Sequence, residues 1–273
     1  MRVAFWNVEN FFDPTDDTVC IDDDFTAEGA NHWTWKRFHS KCNAIYKTVV
    51  AMDAPMVLGL AEVENERVLR ELCKGTPLRR LHYEYVHFDS PDHRGIDCAL
   101  MYRNDQFRVF ESRPLSMSDS TYFTRDVLLV GGVTTQNDTL FVLVNHWPSR
   151  RGSTLADRHR ERIRKSVVFV RDSLLSAHPD AVVAVMGDFN AELSKGVGEG
   201  SYCYQGVWSW IDQIFVNSEF PHSATPTEAV RLPWLLTEDA THLGVKPYRT
   251  YLGPRYQGGI SDHLPVVRAL QWK

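Results

Sequence analysis

Five short apolar runs in this chain begin or end beside side chains that can bind a cation or transfer a proton. Residues 181–186 lead into Gly-Asp-Phe-Asn (187–190), and Ser-Asp-His (261–263) directly precedes residues 264–267. A short apolar run bounded by turn residues is typical of a buried strand. In layered α/β folds, polar groups at strand ends line the ligand crevice. The pattern therefore predicts a buried sheet with a polar site at one edge.

The other three runs have the same arrangement. They end at Asn7, Glu62 and His146. A single Gly-Asp after a strand is usually only a turn, and a lone histidine is usually structural. Five such runs in one chain favour a functional site. Carboxylate, carboxamide and imidazole groups suit a divalent cation together with acid–base chemistry.

Two longer segments have helical periodicity. Residues 36–52 and 155–175 each place apolar side chains on one face. The chain has 273 residues, 43% of them hydrophobic, so it can bury a large core. No linker, repeat or low-complexity tract marks a boundary, so we expect a single domain over 1–273.

Six motifs, in order along nearly the whole chain, resemble those of the endonuclease/exonuclease/phosphatase superfamily, which includes exonuclease III and pancreatic-type deoxyribonucleases. They are Trp-Asn-Val-Glu-Asn (6–10), Leu-Ala-Glu-Val-Glu (60–64), Val-Asn-His-Trp (144–147), Gly-Asp-Phe-Asn (187–190), Trp-Ile-Asp-Gln-Ile-Phe-Val (210–216) and Ser-Asp-His (261–263). The resemblance implies an α/β (α+β) four-layer sandwich, with two packed, mainly antiparallel β-sheets flanked by helices.

The resemblance also implies a cation site. Glu62 is the expected principal ligand of Mg²⁺, and Asn7 and Asp262 are further ligands, directly or through water. Mn²⁺ should substitute for Mg²⁺ because all of these ligands are hard oxygens.

The same resemblance assigns acid–base roles. Asp188 and Asn190 lie two residues apart, so on an extended segment they point the same way, toward the scissile phosphate. Asp188 would orient or deprotonate the water, and Asn190 would donate to a phosphate oxygen or steady the nucleophile. Asp212 would fix the tautomer of His263 and raise its pKa. His263 would then be either the base or a phosphate-binding cation.

Four further residues have weaker assignments. His146 would act as an acid toward the leaving oxygen or hydrogen-bond the phosphate, unless it is only structural. Asp89 is the nearest match for a carboxylate that orients His146. Arg125 and Arg94 could bind phosphate, with a charge on an edge strand as the alternative.

Charge and cysteine content narrow the classes of protein. A net charge of −5 and a pI near 6.1 argue against a protein that coats nucleic acid, although a nuclease with a cation is compatible with them. Five scattered cysteines argue against zinc and a disulfide scaffold. The acidic stretch from Asp13 to Asp24 lacks EF-hand spacing, so we expect a solvated loop, with weak Ca²⁺ binding as the alternative.

Two segments are candidate substrate surfaces. Arg150 and Arg151 begin a basic run that continues into residues 158–165, most of which fits the solvated face of a helix. The Pro- and Gly-punctuated segment 222–258 leads into the Ser-Asp-His motif, and we expect it to form one wall of the cleft.

The sequence thus predicts a Mg²⁺-dependent phosphodiester hydrolase, a nuclease that cleaves DNA by in-line attack of water. The alternative is a small-molecule or lipid phosphatase or phosphodiesterase of the sugar-phosphate, inositol-phosphate or sphingomyelin type. Ala191-Glu192 and Gln213 depart from the inositol phosphatase pattern, and intact site positions argue against a catalytically dead binding module. We expect a monomer without stable membrane association. It would be cytoplasmic on this sequence, or secreted or periplasmic if an export signal had been removed.

Overall fold

The computed structural model describes residues 1–149, 154–220 and 227–270. The helices are α1 (Trp35–Ala51), α2 (Glu66–Arg70) and α3 (Thr154–Ala177). The strands, in chain order, are β1 (Arg2–Phe11), β2 (Val57–Val63), β3 (Tyr83–His87), β4 (Asp97–Arg103), β5 (Phe107–Leu115), β6 (Val127–Thr134), β7 (Thr139–His146), β8 (Val182–Asp188), β9 (Tyr202–Tyr204), β10 (Val207–Ser209), β11 (Asp212–Val216), β12 (Glu228–Ala229), β13 (Leu236–Glu238), β14 (Val245–Pro247), β15 (Tyr251–Leu252), β16 (Arg255–Tyr256) and β17 (Val266–Ala269). Short 3-10 turns cover Asp23–Phe25, Pro77–Leu81, Asn217–Glu219 and Pro233–Leu235, and a π-helical turn covers Glu71–Gly75.

Two large sheets form the centre of the fold. The six-stranded sheet has the order β12-β17-β1-β2-β4-β3, and the five-stranded sheet has the order β11-β8-β7-β6-β5. The β1–β2 and β7–β8 pairs are parallel, and the other strand pairs of these sheets are antiparallel. The mainly antiparallel arrangement predicted from the sequence is therefore confirmed.

The sheets pack face to face, with a helix on each outer side. Phe5 of the six-stranded sheet and Met186 of the five-stranded sheet belong to the same buried cluster between them. Ile45 of α1 packs in the outer core of the six-stranded sheet, and Val167 of α3 packs in the outer core of the five-stranded sheet. These layers form the predicted four-layer sandwich.

Both predicted helices are present. α1 and α3 lie within two residues of the predicted spans 36–52 and 155–175 at each end. The Thr34 side chain accepts a hydrogen bond from the Arg37 N–H at 3.4 Å, which satisfies one of the unpaired donors at the start of α1. The buried face of α1 contains the apolar residues that periodicity predicts, and it also contains Lys41.

Strand register brings the polar strand ends together. Asn7 on β1 pairs with Ala61, the residue before Glu62 on β2. At the end of the second sheet, Asp188 pairs with His146 on one side and with Asp212 on the other. Because β1–β2 and β7–β8 are parallel pairs, the ends of their strands lie at the same edge of each sheet.

Further expectations concern the acidic stretch, the cysteines, the candidate substrate surfaces and the membrane. Asp13 and Asp22 are buried, so the acidic stretch is only partly the solvated loop that was expected; its Ca²⁺ binding stays a prediction. The five cysteines are free. Arg150, Arg151 and residues 222–226 lie outside the described residues. Among the helices that are described, none is long and apolar enough to cross a membrane.

Candidate active site

Left-handed backbone at two strand ends orients the first site residues. Glu9 and Asn10 have φ of 50° and 48°, and Glu62 has φ of 63°. Such conformations are costly for residues other than glycine and are often found at functional sites. Here they direct two backbone N–H groups: Asn10 donates to Glu62 Oε2 at 2.8 Å, and Glu9 donates to Asn7 Oδ1 at 3.0 Å.

The Asn7 amide lies between two carboxylates. Its Nδ2 is 3.1 Å from Asp188 Oδ2 and 3.5 Å from Glu62 Oε1. Because Oδ1 accepts from the Glu9 N–H, the amide nitrogen, which cannot bind a cation, faces the carboxylates. In this arrangement Asn7 positions Asp188 and Glu62, and its predicted role as a ligand would require the amide to rotate.

The structure brings Asp188, Asp212 and His263 together. His263 Nδ1 is 2.8 Å from Asp212 Oδ2, which also accepts from Ser201 Oγ at 2.6 Å. His263 Nε2 faces the cleft, 3.9 Å from Asp188 Oδ2 and 3.8 Å from Asp262 Oδ1. The contact between Asp212 and the ring is the one that the sequence predicts.

The charges of this group set its protonation. Burial alone would lower the pKa of His263, but the negative charges of Asp212 and Asp188 outweigh burial and raise that pKa well above its ordinary value. Burial and the charge of Asp212 raise the pKa of Asp188 to about 7. His263 is therefore a cation at neutral pH, and Asp188 titrates near the operating range of a general base.

His146 lies beside the same carboxylates. Its Nε2 is 3.7 Å from Asp188 Oδ2 and 3.9 Å from Glu62 Oε1. Burial and the positive charges of Arg125 and Arg94 lower its pKa well below the ordinary value. The ring is thus neutral, and because Nε2 faces acceptors we assign the proton to Nε2. A neutral ring favours hydrogen bonding to phosphate over the role of acid.

The orienting carboxylate predicted for His146 is elsewhere. The Asp89 side chain is 89% exposed, and its Oδ1 is 3.9 Å from Nδ1 of His87. His146 Nδ1 is buried and has no hydrogen-bond partner among the described residues. The assignment of Asp89 was wrong because the loop after β3 turns this side chain toward solvent.

Asn190 links the ends of β7 and β8. Its N–H donates to Asp188 Oδ1 at 2.9 Å, and its Nδ2 donates to the Trp147 carbonyl at 2.9 Å. The side chain lines the cleft beside Asp188. Donation to a phosphate oxygen remains a prediction for this residue.

Two predicted arginines also line the cleft. Arg94 Nη2 is 2.7 Å from Asn10 Oδ1 and 3.8 Å from Glu62 Oε2. Arg125 donates to Asp92 at 3.0 Å and to the Trp147 carbonyl at 3.0 Å. It precedes β6, which lies inside the five-stranded sheet, so the alternative of an edge-strand charge was wrong.

A buried hydrogen-bond network of Glu9, Lys41 and Thr250 supports the strained end of β1, and the sequence pattern assigned no role to these three residues. Lys41 Nζ donates to the Glu9 carbonyl and, at 2.9 Å, to Thr250 Oγ1. The Thr250 N–H donates to Glu9 Oε2 at 2.7 Å. Burial lowers the pKa of Lys41 and raises that of Glu9. The available signal was the position of Lys41, a charged residue on the apolar face of α1.

The cleft has a volume of about 820 Å³. The residues predicted from the sequence that line this cleft are Glu62, Arg94, Arg125, His146, Asp188, Asn190, Asp262 and His263. The β9–β10 hairpin forms one wall, where Tyr202 packs against the His263 ring with centroids 4.8 Å apart. Arg249, from the predicted wall segment 222–258, also lines the cleft. A depression of about 890 Å³ beside the acidic loop contains Asp89 but none of the catalytic candidates.

The cleft offers donors that fit a divalent cation. The carboxylates of Glu62, Asp188 and Asp262 line it, and these hard oxygens suit Mg²⁺ or Mn²⁺. Among the described residues, Asp188, Asp212 and His263 also form a group whose ligand atoms lie within 4.8 Å of one another. Because His263 and Asp212 already pair with each other, Glu62 is the better principal ligand.

A sequence model of the Endonuclease/Exonuclease/phosphatase family matches residues 2–197 and 193–271. Humanized D. rerio TDP2 is 16% identical, with 98% of this chain and 97% of that chain covered and a TM-score of 0.56. The human Nocturnin catalytic domain is 18% identical, with 98% and 92% covered and a TM-score of 0.58. The Bacteroides thetaiotaomicron mannosyl-6-phosphatase is 16% identical, with 98% and 98% covered and a TM-score of 0.60. At these identities the likeness shows the fold alone. No curated protein has matching sequence.

Proposed function

Since this chain belongs to the endonuclease/exonuclease/phosphatase family, a superfamily of metal-dependent phosphoric ester hydrolases, we propose that it cleaves phosphodiester bonds in DNA by in-line attack of water. The observation that carries this proposal is the arrangement of the cleft, where Asp188 and His263 lie among arginines and beside an exposed tyrosine.

Each polar residue has a distinct task in this reaction. Asp188, with its pKa near 7, accepts the proton of the attacking water. Cationic His263, held by Asp212, binds a phosphate oxygen. Neutral His146 donates its Nε2–H to another phosphate oxygen, while Asn7 keeps Asp188 in place.

A divalent cation completes the chemistry. Glu62 would hold Mg²⁺, and Asp262 would contact it through water. When bound, Mg²⁺ supplies positive charge for the phosphate and for the leaving oxygen.

The walls of the cleft favour a polymeric substrate. Tyr204 and Val207 of the β9–β10 hairpin line the cleft, and their side chains are largely exposed. Arg94, Arg125 and Arg249 provide positive charge nearby. An aromatic ring beside arginines fits a nucleic acid, because a base stacks on the ring while the arginines face the backbone. The chain carries a net charge of −5, so attraction of a nucleic-acid backbone depends on positive charge that is local to the cleft.

Hydrolysis by the purified protein with Mg²⁺ or Mn²⁺ tests the proposal. The substrates are plasmid, single-stranded and abasic DNA, together with inositol phosphates and bis-p-nitrophenyl phosphate. Mannose 6-phosphate is added because one structural neighbour is a mannosyl-6-phosphatase. The inactive control is the D188A/H263A double variant, and the matched active control is Asp157→Ala, on the exposed surface of α3.

DNA cleavage that requires the cation and is lost in D188A/H263A would support the nuclease. Turnover of a phosphate monoester without DNA cleavage, equally sensitive to D188A/H263A, would contradict it and place the protein among the phosphatases.

A further inference from the structure

The Arg249 guanidinium lies between two carboxylates at the edge of the cleft. Its Nη2 is 3.1 Å from Asp262 Oδ2 and 3.4 Å from Glu9 Oε1. Both side chains line the cleft, with Glu9 buried and Asp262 partly exposed, so without Arg249 two carboxylates would lie there without this cation. Two carboxylates that share a site are a common ligand set for a divalent cation.

Arg249 offsets the charge of this pair. Its guanidinium contacts both Glu9 and Asp262, and an arginine stays protonated throughout the working pH range, so this compensation is permanent. A divalent cation between the same two carboxylates would be repelled by Arg249 and by a first cation at Glu62.

We propose that Arg249 is the resident cation of the Glu9–Asp262 pair and that it restricts the active site to a single divalent cation, at Glu62. The inference rests on the proposed function in taking Glu62 as the ligand of the activating cation. Arg249 is a positioning residue here: it holds Asp262 beside His263 and occupies the place where a second ion would bind.

Counting bound Mn²⁺ tests this directly, without any substrate. Titration calorimetry, checked by equilibrium dialysis, should give one Mn²⁺ per wild-type chain. Arg249→Met keeps the length of the side chain and removes its charge, so it should bind one additional ion. The double variant E9Q/R249M should return to the wild-type count, because the additional ion loses one of its two carboxylates.

Two controls separate this effect from a general change in charge. Arg94→Met removes a positive charge that is 3.8 Å from Glu62 but does not contact Glu9 or Asp262, so it should leave the number of ions unchanged. Thermal unfolding shows whether each variant is folded, and Arg249→Gln replaces Arg249→Met if the latter is not.

The outcomes are distinct. Two Mn²⁺ at the cleft of the wild-type chain, removed in part by Glu9→Gln, would overturn the assignment of Arg249 and leave the proposed function intact. An unchanged count in both Arg249→Met and Arg249→Gln would also overturn it. No bound Mn²⁺ in the wild-type chain would overturn this inference together with the metal-dependent function.

Discussion

The contact between Asp212 and His263 joins the two β-sheets at the active site. Asp212 is the first residue of β11 in the five-stranded sheet, and His263 lies three residues before β17 in the six-stranded sheet. Their Oδ2 and Nδ1 atoms are 2.8 Å apart. Trp6, on β1, holds the backbone of His263, because its indole N–H donates to the His263 carbonyl at 3.0 Å. The orientation of the catalytic histidine therefore depends on how the sheets pack.

Replacing Asp212 by Asn should move the pH dependence of hydrolysis to lower pH. The charge of Asp212 raises the pKa of both His263 and Asp188. Activity needs His263 protonated and Asp188 deprotonated, so both limbs of the pH profile should shift down, by about 1–3 units. At the optimum kcat should fall about 10²- to 10⁴-fold. The measurement is kcat/KM against pH.

Ser201→Ala is the matched control for Asp212→Asn. It removes the other hydrogen bond to the same carboxylate but leaves the charge in place. Its pH profile should stay close to that of the wild type. A profile of Asp212→Asn that also stays in place would contradict the electrostatic role of this residue.

Replacing His146 tests whether it acts as a neutral donor. His146→Ala should lower kcat about 10²- to 10³-fold, because a hydrogen bond to phosphate is lost. His146→Gln, whose amide can still donate, should retain more activity. Since a neutral ring contributes no ionisation between pH 5 and 8, as its strongly lowered pKa indicates, both variants should keep the shape of the wild-type pH profile. Loss of the alkaline limb in His146→Gln would instead identify His146 as the acid.

Most of the fold was predictable because its signals are local. The runs that become β7 and β8 are continuously apolar, as expected of strands buried on both faces, and the period of α1 and α3 is visible without any partner. Which strands pair with each other cannot be predicted from local sequence. The pairing of β1 with β17 joins residues at opposite ends of the chain, and only sheet packing determines it.

Site residues could be predicted where they lie within one short motif. Contacts between residues far apart in the sequence could not be predicted. Glu9 and Arg249 are 240 positions apart, and their ion pair requires β1 to end in a left-handed turn. That same turn directs the Asn7 amide nitrogen inward, which no motif encodes. The prediction that Asp89 orients His146 was wrong because a motif match in a loop does not determine which way the side chain turns.

Tyr204 should contribute to binding of nucleic acid through its ring. The side chain is 62% exposed at the cleft wall. Tyr204→Ala should raise KM for a single-stranded oligonucleotide about tenfold, because stacking on a base contributes about 1–3 kcal/mol. Tyr204→Phe should behave as wild type. The same oligonucleotide with abasic residues in place of its nucleotides should be cleaved equally by Tyr204→Ala and wild type.

Phe169→Ala, on the exposed surface of α3, is the control for loss of an exposed aromatic side chain. It should leave KM unchanged. Equal effects of Tyr204→Ala on the normal and the abasic oligonucleotide would show that the ring does not stack on a base.

Lys41 should stabilise the fold through its buried contacts. Lys41→Met removes the buried hydrogen bonds to the Glu9 carbonyl and to Thr250 Oγ1, together with a positive charge that acts on the Glu9 carboxylate, so the free energy of unfolding should fall by about 1–3 kcal/mol. Adding Glu9→Gln should restore part of the loss, because the carboxylate whose charge Lys41 partly offsets is then neutral. Lys47→Met, an exposed lysine on the same helix, should change the free energy by less than about 0.5 kcal/mol. Urea unfolding at pH 7 measures all four proteins, and a K41M/E9Q variant no more stable than Lys41→Met would exclude the coupling.

Glu64 should make the protein less stable as the pH rises. Its Oε2 accepts from the Asp13 N–H at 2.5 Å, while its Oε1 is buried without a hydrogen-bond partner among the described residues. Burial, with the charges of Asp13 and Asp22, raises the pKa of Glu64 from 4.5 to about 8. The folded state therefore holds this proton more tightly than the unfolded state does. Below pH 4.5 both states are protonated, and between pH 4.5 and about 8 the unfolded state releases its proton first.

Over that window the contribution of Glu64 to the free energy of unfolding should fall by an amount on the order of a few kcal/mol, and it should level off above pH 8. Glu64→Gln removes the titration, so its stability relative to wild type should rise between pH 5 and pH 8. Glu28→Gln, at an exposed position, should show no such trend. Denaturant unfolding of the three proteins from pH 5 to pH 9 measures the difference. A constant difference between Glu64→Gln and wild type would mean that Glu64 is ionised in the folded protein throughout, and that a positive charge or a bound cation compensates for its burial.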